Sequence, residues 1–367
     1  MASLFQACKA AVRNREGGTF SIGGYDIDIE MYSQQDIDDD IQYGDVAFGD
    51  SDESKIVLVA GNTITVPAGY TLTPDSPKKS LVIFCNALVN NGTISMYQKA
   101  PNVLPHDYYI IQGSVIGSNR NVIIPAYANN QVTTDYYANN SSNGTNGQNG
   151  TNRQCGSGGT GSCGSLYNTK IATAGSGYAF GGGAGSGGGG GAYNGGVCPI
   201  SVDSVYPMRG SDGVSANDNF FGGVGNPRGN SNPAKYTNSQ GFGCGGRIII
   251  FCNSFENNGN ITVNGTTTVK IINSTSYGGA GTGWGGASGA GAVDLFYTNM
   301  ITQGTITATG GDNFTLTHTP GKGGNGSITL TQWNLDKVIK EERKMFTKDN
   351  WVYLFTEYTT RLREDVI

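Results

Sequence analysis

A sixteen-residue phrase occurs twice in this chain, LVIFCNALVNNGTISM from Leu81 and IIIFCNSFENNGNITV from Ile248, and the two align without a gap. Ile83 matches Ile250, Phe84 Phe251, Cys85 Cys252, Asn86 Asn253, Asn90 Asn257, Asn91 Asn258, Gly92 Gly259 and Ile94 Ile261. A third copy, VDLFYTNMITQGTITA from Val293, keeps Phe296, Gly304 and Ile306 in frame, and GSITL from Gly326 supplies a final half. Self-similarity of this kind marks a repeated structural unit that buries its apolar side only against its neighbours.

Each copy reads as a strand (Leu81 to Phe84 in the first), an Asn-rich turn, and a second short strand. In that second strand alternate residues, Ile94 and Met96 or Ile261 and Val263, face one way. Asn and Gly supply the left-handed angles of a sharp bend, and an Asn-Gly pair serves a hairpin equally well. The recurrence after long polar insertions favours copies stacked in parallel around one apolar column, as in a solenoid. The expected fold is mostly β: parallel β-helix or solenoid-like repeats with Gly-rich, polyglycine-type insertions and short terminal α-helices. A β-sandwich is the competing arrangement.

Five segments are expected. Residues 1–54 form an N-terminal attachment segment, with a short amphipathic helix over 2–15 (Leu4, Cys8, Ala11 and Val12 on one face, Gly17 and Gly18 as the stop) and an alternating strand from Tyr25. Residues 55–137 hold the first β-repeat module, with Ile64, Val66, Tyr70 and Leu72 facing inward. Residues 138–246 are a Gly/Asn/Ser-rich insertion, 247–331 the second β-repeat module, and 332–367 a charged C-terminal helical segment. That last segment carries Leu335, Val338, Ile339 and Phe346, then Trp351, Leu354, Phe355, Tyr358 and Leu362 at helical spacing. The stripe serves either packing within the chain or docking on another copy.

With 59 glycines and 37% hydrophobic residues, the body does not resemble a large-core enzyme. A net charge of -5 without a Lys/Arg stripe gives nucleic acid no electrostatic footing. No apolar run reaches the length of a membrane span, and the start lacks the pattern of a secretory signal, so work outside a cell implies lysis or delivery in an assembly. Of seven cysteines, Cys85 and Cys252 occupy equivalent positions and read as buried free thiols. Cys155 and Cys163 flank a flexible spacer across which they could pair, without a requirement that they do. Zinc is not expected.

Polysaccharide chemistry on such a scaffold needs paired carboxylates or a carboxylate-held metal. The acids between Val57 and Leu330 are mostly isolated in loops, and nothing in their spacing brings two together. His106 and Asp107 are adjacent on an extended stretch and point opposite ways. Asp36, Asp38 and Asp40 open like a calcium loop but lack its Gly and distal Glu, so an acidic solvated turn is expected there. No phosphate-binding glycine motif occurs. The sequons at Asn91, Asn143 and Asn264 follow from Asn-Gly turns alone. The chain is expected to be no enzyme and to hold no cofactor.

Within the glycine runs sit Tyr178, Phe180, Tyr193, Phe220, Phe221, Tyr277 and Trp284. The runs are open to two readings, a flexible linker or packed extended threefold helices; solvated linkers rarely carry such rings, which favours packing, with the aromatics either displayed or wedged between glycine strands.

The order ITVPAGYTLTP, LVIFCNALVNNGTISM, a Gly-rich low-complexity stretch, GGRIIIFCNSFENNGNITVNG and VDLFYTNMITQGTITATGG resembles Gly-rich tail-fibre and receptor-binding, adhesin-like proteins of bacteriophages and prophages. The similarity spans residues 55–330 and leaves both termini outside. It implies a virion structural protein, assembled in the host cytoplasm and carried outside the cell, commonly a homotrimer. Its partners would be other tail or capsid proteins and a host surface carbohydrate or protein, with no nucleic acid and no membrane insertion. The seven aromatic residues named above are the candidate receptor-binding set. Two alternatives stand beside it: a polysaccharide-depolymerising tailspike, and a secreted Gly-rich surface or ice-binding protein. Regular Thr-x-Thr ladders would favour ice, and TVNGTTTV is a single fragment of one.

Overall fold

The computed structural model describes residues 4–22, 25–100, 108–111, 122–124, 136–138, 146, 149, 169–171, 245–265, 289–312 and 322–332. Among these the chain is mostly β-strand, with helices α1 (Leu4–Asn14) and α2 (Gln34–Tyr43). In chain order the first strands are β1 (Gly18–Ile22), β2 (Tyr25–Tyr32), β3 (Ile56–Val66), β4 (Thr71–Leu72), β5 (Ser80–Asn90) and β6 (Thr93–Ser95). Four short strands follow: β7 (Tyr108–Ile111), β8 (Val122–Ile124), β9 (Tyr136–Ala138) and β10 (Thr169–Ile171). The last are β11 (Arg247–Asn257), β12 (Asn260–Thr262), β13 (Ala292–Thr302), β14 (Thr305–Thr307) and β15 (Ser327–Gln332).

A seven-stranded sheet runs β1-β2-β3-β5-β11-β13-β15, and a four-stranded sheet runs β14-β12-β6-β4. Only β1 and β2 pair antiparallel within them; every other neighbour is parallel. The sequence copies meet in frame. Leu81 lies opposite Ile248 and Asn90 opposite Asn257, while Ile248 lies opposite Val293 on its other side. Each complete copy contributes its long strand to the larger sheet, turns, and puts its short strand in the smaller one. The small pairs β7/β8 and β9/β10 are antiparallel.

Alternate residues of the larger sheet make inward columns, Val57-Leu81-Ile248-Val293 and Val59-Ile83-Ile250-Leu295, and the smaller sheet answers with Leu72, Ile94, Ile261 and Ile306. Ile64, Val66 and Leu72 are buried as expected, with Tyr70 packed beside them. The opposite face of the larger sheet is apolar too. Ile56, Leu58, Val82, Ile249, Phe251 and Phe296 cluster with Leu4, Phe5, Ala7, Cys8, Ala11 and Val12 of α1. Parallel strands covered on both faces read as continuous apolar runs, which accounts for IVLVA and IIIF. Along this outer face Phe84, Phe251 and Phe296 form a ladder with centroids 5.9 and 5.2 Å apart, and Phe5 meets Phe251 at 5.3 Å.

Four expectations change. The first strand of each copy does not end at Phe84: β5 continues through Asn90, and the turn shrinks to Asn91 and Gly92. Asparagine is tolerated inside the strand because its amide finds a partner on the next one, Asn253 Nδ2 donating to Asn86 Oδ1 at 2.8 Å. The Asp36–Asp40 run is helical, not a turn. The Asp36 carboxylate accepts from both the backbone N–H and the Oγ of Ser33, Ile37 enters the core, and Gly44 ends the helix with φ 71°. GSITL is the first half of a copy rather than the last, since Ser327 sits opposite Ala292 and β15 joins the larger sheet. Finally, α1 stops before Gly17: Arg15 already has φ 56°.

Candidate functional site

Each complete copy among the described residues has one tight corner and one open corner. At the open corner the chain leaves after β6, β12 and β14 and comes back before β11, β13 and β15. The three departures end in the same closure. Gly246 N donates to Met96 O at 2.8 Å, Gly291 N to Val263 O at 2.8 Å, and Gly326 N to Ala308 O at 2.9 Å. Long excursions thus begin and end at three equivalent necks on adjacent strands, about 4.8 Å apart.

Glycine is demanded at these necks by space. A Cβ on Gly291 would lie 1.7 Å from Gly246 O, and one on Gly326 1.7 Å from Gly291 O. The backbones at the neck approach as closely as strands allow only without side chains.

The first and third excursions touch. Lys322 N donates to Asn146 Oδ1 and Asn325 N to Asn149 Oδ1, both at 2.9 Å, and Gly310 N donates to Asn325 Oδ1 at 2.9 Å. Acceptors three residues apart serve donors three residues apart. These asparagines were not singled out from the sequence, although the NGTNGQNGT triplets around them carry the period.

All seven candidate receptor-binding residues lie outside the described residues. Tyr178, Phe180, Tyr193, Phe220 and Phe221 belong to the first excursion by sequence, and Tyr277 and Trp284 to the second. His106, Asp107, Cys155, Cys163 and the C-terminal stripe also lie outside them.

The tight corner presents a face of hydroxyls and amides, with one carboxylate, Glu256, accepting from Asn258 Nδ2 at 2.9 Å. Thr71, Thr93, Asn260 and Thr305 stand in one row across the four-stranded sheet, and Ser95, Thr262 and Thr307 in a second. Thr307 Oγ1 donates to Thr262 Oγ1 at 3.1 Å. Beside them Asn258 Nδ2 donates to Asn91 Oδ1 and Thr302 Oγ1 to Asn258 Oδ1, each at 3.0 Å. A ladder of Thr or Asn, x, then Thr or Ser therefore exists. It escaped the sequence reading because each copy supplies only one step.

Charge gathers elsewhere. The buried Lys78 ammonium donates to Glu30 Oε1 at 2.9 Å, Asp50 Oδ1 at 2.8 Å and Asp52 O at 2.9 Å, and Lys55 donates to Asp50 Oδ2 at 2.5 Å. These two cations hold the Asp50 carboxyl well below the usual range. The cluster ties residues 49–55 to β2 and to the strand start at β5, a structural use of charge. Behind the first neck, Arg247 donates to Asp294 Oδ2 through Nη2 at 2.7 Å and Nε at 3.1 Å, both side chains buried. Cys85 and Cys252 are buried free thiols as expected. Burial pushes both up, as it does Cys8, so they are inert hydrophobes.

Among the described residues no three His, Cys, Asp or Glu side chains gather as a metal-binding group, and no helix is long and apolar enough to cross a membrane. Comparison with protein-family models, with curated proteins and with solved structures found no match.

Proposed function

We propose that this chain is a bacteriophage or prophage virion protein, a tail fibre or receptor-binding adhesin that grips the host surface without catalysis. Its scaffold is a parallel β-helix, each copy of the repeat one coil, carrying polyglycine-type insertions. The observation that supports this reading most is the row of three equivalent necks, which sends every long Gly-rich excursion out of the same corner. A rigid column that groups its loops on one side suits display. The contacts between residues 146–149 and 322–325 support loops that brace each other.

The candidate aromatics on these excursions would bind host carbohydrate or protein weakly at each point. A homotrimer joined to other virion proteins would convert that into avidity. The test is deletion of residues 174–196, followed by adsorption of purified protein to host cells. Binding should vanish while the far-ultraviolet circular dichroism of the β-scaffold persists. Unchanged adsorption overturns the display reading, and shortened host polysaccharide after incubation with the intact protein would instead make it a depolymerase.

The hydroxyl and amide ladder on the four-stranded sheet favours a second reading, an ice-binding face. A thermal-hysteresis measurement decides it: a freezing point held below the melting point, and restored by Thr305→Tyr, would support ice over a host receptor.

A further inference from the structure

The two ends of the strand stack are finished differently. At the β3 end, Val57, Val59, Ile64 and Val66 are fully buried, because Ile37 of α2 and Phe48 close over their cluster. At the β15 end the same columns run out into the open. Val293 and Leu295 are 0% exposed, but the next residues in those columns, Ile328 and Leu330, are 40% and 37% exposed. Ile301, bulged out of β13, is 56% exposed, and Tyr297, Met300 and Ile306 are only partly covered. Moreover β15 and β14 are the edge strands of their sheets, and β15 has no companion strand beside β14 among the described residues. Among the described residues the fourth copy shows only its first strand, with apolar side chains exposed along it and a sheet edge that invites strand addition.

We infer that residues 333–367 of the same chain cap this end, laying the stripe of Leu335, Val338, Ile339 and Phe346 over Ile328, Leu330, Met300 and Ile306. The chain passes from Gln332, the last residue of β15, directly into that segment. The stripe has helical spacing, so one face can turn wholly inward. Ten helical residues span about 15 Å, and facing sheets stand about 10 Å apart, so a single helix bridges both edges. A second copy stacked end to end fits worse. Its β3 end would bring the Asp-rich α2, with Asp38, Asp39 and the nearby Asp45, against Ile328 and Leu330. Capping by the chain's own tail also blocks edge-to-edge growth of copies, a role solenoids give to their terminal elements. It holds whether or not the insertions bind a host surface.

Hydrogen–deuterium exchange on the full chain tests it, at two protein concentrations about a hundredfold apart so that intermolecular protection shows itself by mass action. The amides of β14 and β15 that point away from their sheet partners should be protected equally at both. In the full-chain variant Leu335→Asp, Val338→Asp, Ile339→Asp they should exchange about tenfold faster or more, with β3 and β5 unchanged, as expected of a local opening. Outward amides already unprotected in the wild type overturn the cap, as does protection kept in the variant. Protection that grows with concentration assigns the end to a second copy and also overturns it. Should the triple variant lose protection in β3 and β5 as well, the milder Ile328→Thr, Leu330→Thr chain replaces it. There, faster exchange confined to 333–367 and the two edge strands supports the cap, and unaltered exchange refutes it.

Discussion

Asn90 donates its side-chain N–H to Asn257 Oδ1 at 2.7 Å, joining two buried amides that lie 167 residues apart in the chain. The pair does more than satisfy itself. Asn90 also reaches Asn260 O at 3.1 Å, and Asn257 Nδ2 donates to Gln303 O at 2.6 Å, so each buried amide ties its own corner to the corner of the next copy. The repeated asparagine is the stitch between copies, placed where a strand ends and a turn begins.

Asn257→Ala should therefore destabilise by about 1–3 kcal/mol, the usual range when buried partners lose their hydrogen bond. Asn253→Ala, in the half-exposed column that pairs with Asn86, should cost under about 1 kcal/mol because water replaces the partner. Urea unfolding of the two variants gives the comparison, and equal midpoints would contradict it.

Gly291→Ala should prevent the neck from closing. Its Cβ would lie 1.7 Å from Gly246 O, a backbone atom that cannot swing aside, and the expected cost exceeds about 4 kcal/mol. Gly69→Ala is the control. Gly69 has φ 82° but no atom within 4 Å of an added Cβ, so only conformational strain of about 1–2 kcal/mol applies. Soluble yield and thermal midpoint should separate the two clearly.

The buried pair Arg247 and Asp294 predicts an asymmetry between breaking and replacing. Asp294→Ala removes the carboxylate from beside a buried guanidinium and should cost about 3–5 kcal/mol. Replacing both partners, Arg247→Met with Asp294→Leu, should recover most of that loss, since the desolvation penalty disappears along with the attraction. Denaturant midpoints of the single and double variants check the sign.

Stability should also fall in acid through Asp50. Hydrogen bonds from Lys55 and Lys78 hold its folded carboxyl below the unfolded value, so its contribution is present above the unfolded value of about 3.9 and is lost as pH drops from there through the folded one. Lys55 runs the opposite way. Its ammonium, bonded to Asp50, is raised in the folded state, so that contribution is present below about 10.4 and disappears as pH climbs through the folded value. Asp50→Asn should flatten the stability profile below about pH 4 and above about pH 10. Since Asp50 is half exposed, added salt should shrink both effects.

The repeat alone made much of the scaffold legible. Phe84 and Phe251, or Ile94 and Ile261, are neighbours in space because identical apolar patterns bury best in register. The helix over Leu4–Asn14 was readable for a similar reason, its apolar face being spaced for one side. Asp36 to Asp40 misled, because acidity suggests solvent while the cap at Ser33 and the single inward Ile37 suffice for a helix. The necks at Gly246, Gly291 and Gly326 were invisible among so many glycines, since nothing local distinguishes a glycine pressed against another backbone from one in a loop.

Taken alone, the order of residues determined that copies recur, which of their side chains are apolar, and that asparagine and glycine mark the corners. Which side-chain amides join copies across 167 residues, which glycines face backbone rather than water, and which corner releases the excursions were decided only in three dimensions. The reason is physical: periodicity is a property of neighbours along the chain, whereas close approach and shared burial belong to pairs that only folding brings together.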